Sequence, residues 1–344
     1  MDEEDKRQKR EDDIVKAGVA GAAYDTVQRF GAAIKEHLVA YSGVDNESKI
    51  NPKKSLKDIS NYKLNPEYRD ANIKQQAGFS AEVKSTAKAN AEKIINRETS
   101  RRIRTDDIGR VNDQICDTLD IDQFGNIIKG SEAQLKFVGS NADEAFNKLI
   151  SKDYKKYRDA DVKLEVPSDY YDGILKKADE EIQSLEKQIK ALTDKGELEK
   201  AALKKQKLSD CQKVKDNLKK SSVSNEEALQ ARLNPLKSTV KDVAKLSHRA
   251  GVEAAQISAL VSGSISIIKN MAGALSGDID AEDAVENVIN DTAGAAAVGY
   301  CTGFLGAGVK SLMQNAKSET IRTLSKTNLA GAMVTVAVSA AGTM

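Results

Sequence analysis

The sequence predicts an α+β, predominantly helical fold: a small mixed sheet with flanking helices, a long antiparallel helical hairpin, and a Gly/Ala-rich helical C-terminal region. Three observations carry this. Aromatic residues make up 4% of the chain, tryptophan is absent and there are four prolines, a composition that belongs to helices. Leu175, Ala178, Ile182, Leu185, Ile189 and Leu192 recur at three- and four-residue spacing with charges between them, the seam of paired helices. Over residues 110–138, RVNDQICDTLDIDQFGNIIKGSEAQLKFV, the pattern instead takes on the period-2 alternation of strands.

A chain of 344 residues has room for two domains and a small third. The boundaries expected from composition are 1–69 for an N-terminal helix and linker, 70–169 for an α/β domain, 170–222 for the hairpin and 223–344 for the Gly/Ala-rich region. With 53 basic against 52 acidic residues the net charge is +1, so no global polycation draws the chain to nucleic acid, and any such binding is local. Cys116, Cys211 and Cys301 are far apart and lack C-x-x-C spacing, which argues against a zinc knuckle or a disulfide framework and for a reducing cytosol. Two histidines, His37 and His248, do not make a His-ligated zinc or iron site, and both are expected on helix surfaces. The opening MDEEDKRQKREDD has no apolar core and is not a secretory signal.

In order, residues 14–42 carry apolar residues at helical spacing, with Gly18, Gly21 and Gly31 narrowing the face. Residues 42–68 are polar and contain two prolines, predicting a loop with short turns. A helix is expected over 79–96, then a charged connection holding Arg97, Arg101, Arg102 and Arg104. Two or three antiparallel strands joined by tight turns follow: Ile115, Leu119 and Ile121 alternate with acids, Phe124-Gly125-Asn126 breaks the run, and residues 133–138 resume it. A short helix over 143–150, the basic stretch KDYKKYR at 152–158 and a strand at 162–166 ending at Pro167 complete the domain, with Ser168 as the expected cap of the next helix. The hairpin turns at Thr193–Gly196 and its second helix runs from Leu198 to Leu218. Ser224 and Glu227 stand at capping-box spacing, and Arg232-Leu233-Asn234-Pro235 stops that helix.

In the alternating stretch, Gln134 and Lys136 share a face, and Asp113 and Asp117 are placed to face them from the neighbouring strand. Carboxylates on one strand and Q-x-K on the next suit a metal-dependent phosphodiesterase. Oxygen ligands hold Mg²⁺ or Mn²⁺, the ion lowers the pKa of a bound water, and the lysine orients that water and offsets charge at the phosphate. The segment resembles the PD-(D/E)XK nuclease fold in its variant with Gln in place of the middle acid, over roughly residues 70–170. The resemblance implies an early helix carrying a glutamate, matched by Glu82 in AGFSAEV, and a nucleic-acid substrate, DNA ahead of RNA. The family's Pro-Asp signature is absent, which leaves Asp113 and Asp117 both open as the metal ligand. Arg101, Arg102 and Arg104 and, further on, Lys155 and Lys156 are the expected contacts to phosphates.

The last quarter differs again. Residues 251–344 hold 11 of the 22 glycines, and residues 254–268, 292–309 and 327–344 are uncharged. Gly294, Gly299, Gly303 and Gly306 give the small-residue spacing by which helices approach closely. This supports a second reading, a membrane-active or assembly protein, homo-oligomeric or membrane-associated through 254–344, in which the sheet is a docking module. A third is a scaffold whose hairpin binds a partner. A glycine-zipper-like region behind a nuclease-like domain resembles bacterial effectors of conflict with phages or competitors. The uncharged last residues predict a chain that continues or an end buried in a partner.

Overall fold

The computed structural model describes residues 25–26, 28–45, 52 and 54–257. In chain order the elements are α1 (28–42), α2 (Leu56–Ser60), α3 (Arg69–Ile95), β1 (Arg101–Arg104), β2 (Thr118–Ile121), β3 (Ala133–Leu135), α4 (Ala142–Leu149), α5 (Lys155–Asp159), β4 (Lys163–Val166), α6 (Tyr171–Asp194), α7 (Leu198–Asn217), β5 (Leu218–Lys220), α8 (Asn225–Leu233) and α9 (Pro235–Ile257). The fold is α+β and predominantly helical, with one small mixed sheet and flanking helices. The described residues fall into two compact units, one within Lys53–Ala89 and Thr99–Asn234, the other within Met1–Pro52, Asn90–Glu98 and Pro235–Met344.

The first unit is built on the sheet, ordered β1-β2-β3-β4-β5. β1, β2 and β3 form an antiparallel meander, with Ile103 opposite Leu119 and Thr118 opposite Ala133. β4 then joins β3 in parallel, Gln134 opposite Leu164, and β5 joins β4 in parallel, Leu164 opposite Leu218. Parallel neighbours need long crossovers: α4 and α5 lie between β3 and β4, and the α6–α7 hairpin lies between β4 and β5.

The core of this unit gathers Phe146 and Leu149 of α4, Leu164 and Val166 of β4, Ile174 and Leu185 of α6, and Val214 of α7. Truncating a fully buried phenylalanine such as Phe146 costs about 3–5 kcal/mol. Asn141 caps α4 by accepting from the Glu144 N–H at 2.9 Å. Gly139, just before it, has φ 81° and packs so closely on the start of α4 that a Cβ there would meet the Ala145 nitrogen at 2.7 Å. The hairpin turns at Gly196, φ 73°. Lys207 reaches back to Glu181 at 2.5 Å and Lys215 to Asp179 at 2.6 Å, the pairing of an antiparallel hairpin. The expected capping box is present at α8, where Ser224 accepts from the Glu227 N–H and Glu227 from the Ser224 N–H.

Four local features differ from the sequence expectation. Residues 101–104 form β1, although its only apolar residue is Ile103. Buried Arg102 gives the strand its inward partner in Glu165 of β4, so ion pairing replaces apolar alternation. Residues 218–220 leave the helical run as β5, because β4 offers an open parallel edge. α3 begins at Arg69, well before Phe79, led in by a 3-10 turn at Pro66–Tyr68 that Asn65 caps. Ser168 does not cap the following helix: α6 starts at Tyr171 with Tyr170 at the N-cap and no side-chain capping bond.

In the second unit, α1 buries Phe30, Ala33, Ile34 and Leu38. Arg29 donates to the Ile95 carbonyl at 2.9 Å and pairs with Asp25 and Glu253. His37, expected on the surface, is 4% exposed and stands 3.7 Å from Asp242 of α9, whose side chain is equally buried. A polar residue takes this inner position because α9 supplies an acid opposite it. His248 is exposed, as expected.

Among the described residues, no helix is long and apolar enough to cross a membrane. Gly294, Gly299, Gly303 and Gly306, and the uncharged stretches at 292–309 and 327–344, lie outside the described residues.

Candidate functional site

The candidate site forms where β2 and β3 part. Asp117 sits immediately before β2, its backbone locked on both sides: its N–H donates to the Ala133 carbonyl at 2.9 Å, and its carbonyl accepts from the Thr105 N–H at 2.9 Å. Past the Thr118–Ala133 pair the two strands separate, and the Asp117 carboxylate fills the opening. Its Oδ2 accepts from the Leu135 N–H at 2.8 Å and from the Gln134 side-chain amide. The strand period thus places Asp117 against Gln134.

Gln134 is 5% exposed, and among the described residues its Oε1 has no hydrogen-bond partner. A buried acceptor left in that state costs about 1–3 kcal/mol. The orphan oxygen belongs to the same amide head that Asp117 holds.

Glu82 arrives from α3, partly buried. Burial first, then the Asp117 charge, push its carboxyl up to about 8, against the pull of Arg104 and Lys54. Burial also raises Asp117, and the Leu135 N–H, Lys136 and the Gln134 amide only partly offset it. Two neighbouring carboxyls in a partly buried place resist both being ionised at once. They are oxygen donors of the kind hard divalent cations take, as is the Gln134 Oε1. Among the described residues no group of three or more His, Cys, Asp or Glu side chains is arranged to hold a metal.

Lys136 extends from the end of β3, its N–H continuing the ladder to the Glu165 carbonyl at 2.8 Å. Its Nζ donates to the Tyr157 hydroxyl at 3.2 Å and lies 4.2 Å from the centroid of that ring. On the other side, Asp106 accepts from Lys54 at 2.7 Å and from the Asn112 N–H at 3.1 Å. Burial raises its carboxyl, but those two bonds outweigh it and the net shift is downward.

Glu82, Asp117, Gln134 and Lys136 are therefore brought together. Asp113 is placed apart from them: its carboxylate accepts from the Ile115 and Cys116 N–H groups at 2.8 and 3.0 Å and pairs with Arg110. These bonds overcome the burial that would raise it and hold it below the usual carboxylate range. Arg102 is paired with Glu165 at 2.7 Å, and Arg104 with Asp107 at 2.8 Å, both arginines buried; neither guanidinium is offered to a phosphate. Arg101 is exposed on the same strand. Lys155 pairs with Asp159 one helical turn away, and Lys156 donates to the Gln114 side chain at 3.0 Å. Reasoning along the sequence missed Lys54 and Asp106 as neighbours of the site, and singled out Tyr157 only as part of the basic stretch KDYKKYR. The acidic doublet Asp106-Asp107 was a usable signal; nothing pointed to Lys54.

Nothing matches the chain in comparisons with protein-family models, with curated proteins or with solved structures.

Proposed function

We propose that the chain hydrolyses phosphodiester bonds in nucleic acid, DNA ahead of RNA, with a divalent cation, Mg²⁺ or Mn²⁺, held by Asp117, Glu82 and Gln134. The observation that carries this reading is the Gln134 Oε1, unpartnered among the described residues, on the amide that holds Asp117; burial raises the Asp117 carboxyl, and burial and then the Asp117 charge raise Glu82. A cation would satisfy all three oxygens at once, so the residues fit the group. When bound, such an ion lowers the pKa of a coordinated water and stabilises charge on a phosphoryl oxygen.

The chain's own contributions follow from the geometry. Asp117, pinned by the Leu135 N–H and the Gln134 amide, holds a fixed carboxylate orientation at the strand fork. Glu82 contributes a second carboxylate from a different element, so the pocket is defined from helix and sheet together. Lys136 brings a positive charge beside Asp117 for the attacking water and for charge developing on the phosphate. Gln in place of an acid leaves the pocket with one negative charge fewer, which weakens cation affinity and lets a polyanion approach more easily.

The test is incubation of the purified protein with plasmid DNA and with RNA in Mg²⁺, in Mn²⁺ and in EDTA, beside Lys136→Ala. Cleavage is expected only with a divalent ion and is lost in the variant without loss of the fold, because Lys136 is a half-exposed end-of-strand residue. Absence of cleavage under every condition, or undiminished cleavage by Lys136→Ala, refutes the assignment.

A further inference from the structure

Lys136 and Lys156 converge on one aromatic ring. Their Nζ atoms stand 4.2 and 5.0 Å from the centroid of Tyr157. Tyr154 packs beside that ring with centroids 5.8 Å apart and Lys136 within 5.5 Å of its own, so the ring is fixed. A tyrosine face attracts one cation; gathering two works against their mutual repulsion. Yet neither lysine forms an ion pair with a carboxylate among the described residues. Lys136 donates to the Tyr157 hydroxyl, and Lys156 to the Gln114 Oε1. Gln114 is itself tethered, its Nε2 donating to the Asn112 carbonyl at 3.2 Å. Lys155, the next residue, is by contrast paired with Asp159.

We propose that Lys136, Lys156 and the Tyr157 hydroxyl form a subsite for a backbone phosphate of the nucleic acid, next to the phosphate that is cut. The proposal rests on the cleavage reading above and assigns a substrate contact to one lysine of the KDYKKYR stretch and not its neighbour. An oxyanion between the two ammonium groups removes their repulsion. The Tyr157 hydroxyl accepts from Lys136 and retains its own hydrogen to donate to a phosphate oxygen. With ammonium groups close to its face, the ring is not a base-stacking platform, so the subsite reads backbone and not sequence.

The test is binding of a fluorescein-labelled DNA duplex to the full chain in EDTA, followed by anisotropy over a KCl series. Lys156→Gln is expected to weaken binding roughly threefold to tenfold, and Lys155→Gln by less than about twofold. The double variant Lys136→Gln/Lys156→Gln is expected to lower the slope of log K against log salt by about one, as for loss of one phosphate contact. Lys156→Arg keeps the charge and is expected to bind like the wild type. Wild-type affinity in Lys156→Gln, an equal loss in Lys155→Gln, or an equal loss in Lys156→Arg overturns the subsite. If the wild-type protein binds and cleaves while Lys156→Gln is unaffected, only the subsite falls; if the wild type neither binds nor cleaves, the cleavage reading falls with it.

Discussion

Replacing Arg102 with methionine separates two roles that the residue's position in a basic stretch leaves open. The guanidinium donates to Glu165 at 2.7 and 3.3 Å and to the Thr118 hydroxyl at 2.6 Å, and the paired side chains are 6% and 1% exposed. Removing one partner of such a pair costs about 3–5 kcal/mol, because the other charge stays buried. Lys219 stands 3.3 Å from the same carboxylate but is 45% exposed, and recovers only part, so a loss near 3 kcal/mol is expected. For a unit of this size that is a fall in Tm of about 6–12 °C. In the wild type, burial would raise the Glu165 carboxyl, but Arg102 and then Lys219 and Ser221 hold it below its ordinary value. Without Arg102 the balance reverses toward the neutral form, so the loss in Arg102→Met is larger at pH 8 than at pH 4. Urea unfolding at both pH values measures it, and Arg102→Met/Glu165→Leu is expected to regain most of the stability. A loss below about 1 kcal/mol in Arg102→Met, together with weakened nucleic-acid binding, would refute the argument and return Arg102 to the phosphates.

Saturating Mn²⁺ is expected to raise the Tm, the stabilisation being about 2.7 kcal/mol at a hundred times the Kd; Glu82→Gln and Asp117→Asn are expected to melt without that shift, and a shift retained in both variants would place the ion elsewhere. Gly139→Ala combines a positive φ with a Cβ forced to 2.7 Å from the Ala145 nitrogen and is expected to cost about 2 kcal/mol by chemical denaturation; a neutral result would mean that the loop before α4 moves freely. Burial pushes Glu227 up, but Lys88 and the Ser224 N–H overcome it and hold the carboxyl at about 2. A folded pKa below the unfolded one contributes stability that is present above the ordinary value near 4.5 and lost as pH falls toward 2. Lys88→Met should therefore flatten stability against pH over that window by about 1–2 kcal/mol, screening included, and an unchanged acid limb would exclude the pair as its source.

Sequence periodicity located α6 because it buries one stripe, Ile174, Ala178 and Leu185, against the core, while α8 was legible from its capping box at Ser224 and Glu227 and its stop before Pro235. Alternation also set both Asp113 and Asp117 opposite Gln134, and only Asp117 meets it; Asp113 turns to the Ile115 and Cys116 N–H groups and to Arg110. β1 escaped because its inward groups are arginines; Arg104 pairs locally with Asp107, but Glu165, the partner of Arg102, becomes visible only when strands distant in sequence are adjacent. β5 escaped because three residues at the end of a helix carry no period of their own. Within the candidate site, Glu82 was legible only through resemblance. Lys54 and Tyr157 enter from segments whose proximity no local pattern encodes.

The α6–α7 hairpin lies in the chain between two strands that pair directly, β4 and β5. β5 therefore has no partner until two helices of chain have been traversed, and closing a flexible loop of that length is entropically costly. The hairpin's own contacts are between near neighbours in sequence around Gly196 and need no such closure. The hairpin is therefore expected to form early and to bring Asn217 back beside Lys163, whose Nζ donates to it at 3.0 Å, so that β5 adds to β4 as a short final step. In kinetic terms, φ-values are expected to be high for α6–α7 contacts such as Leu185 and Val214 and low for Leu218, and the reverse order would mean that the sheet templates the hairpin.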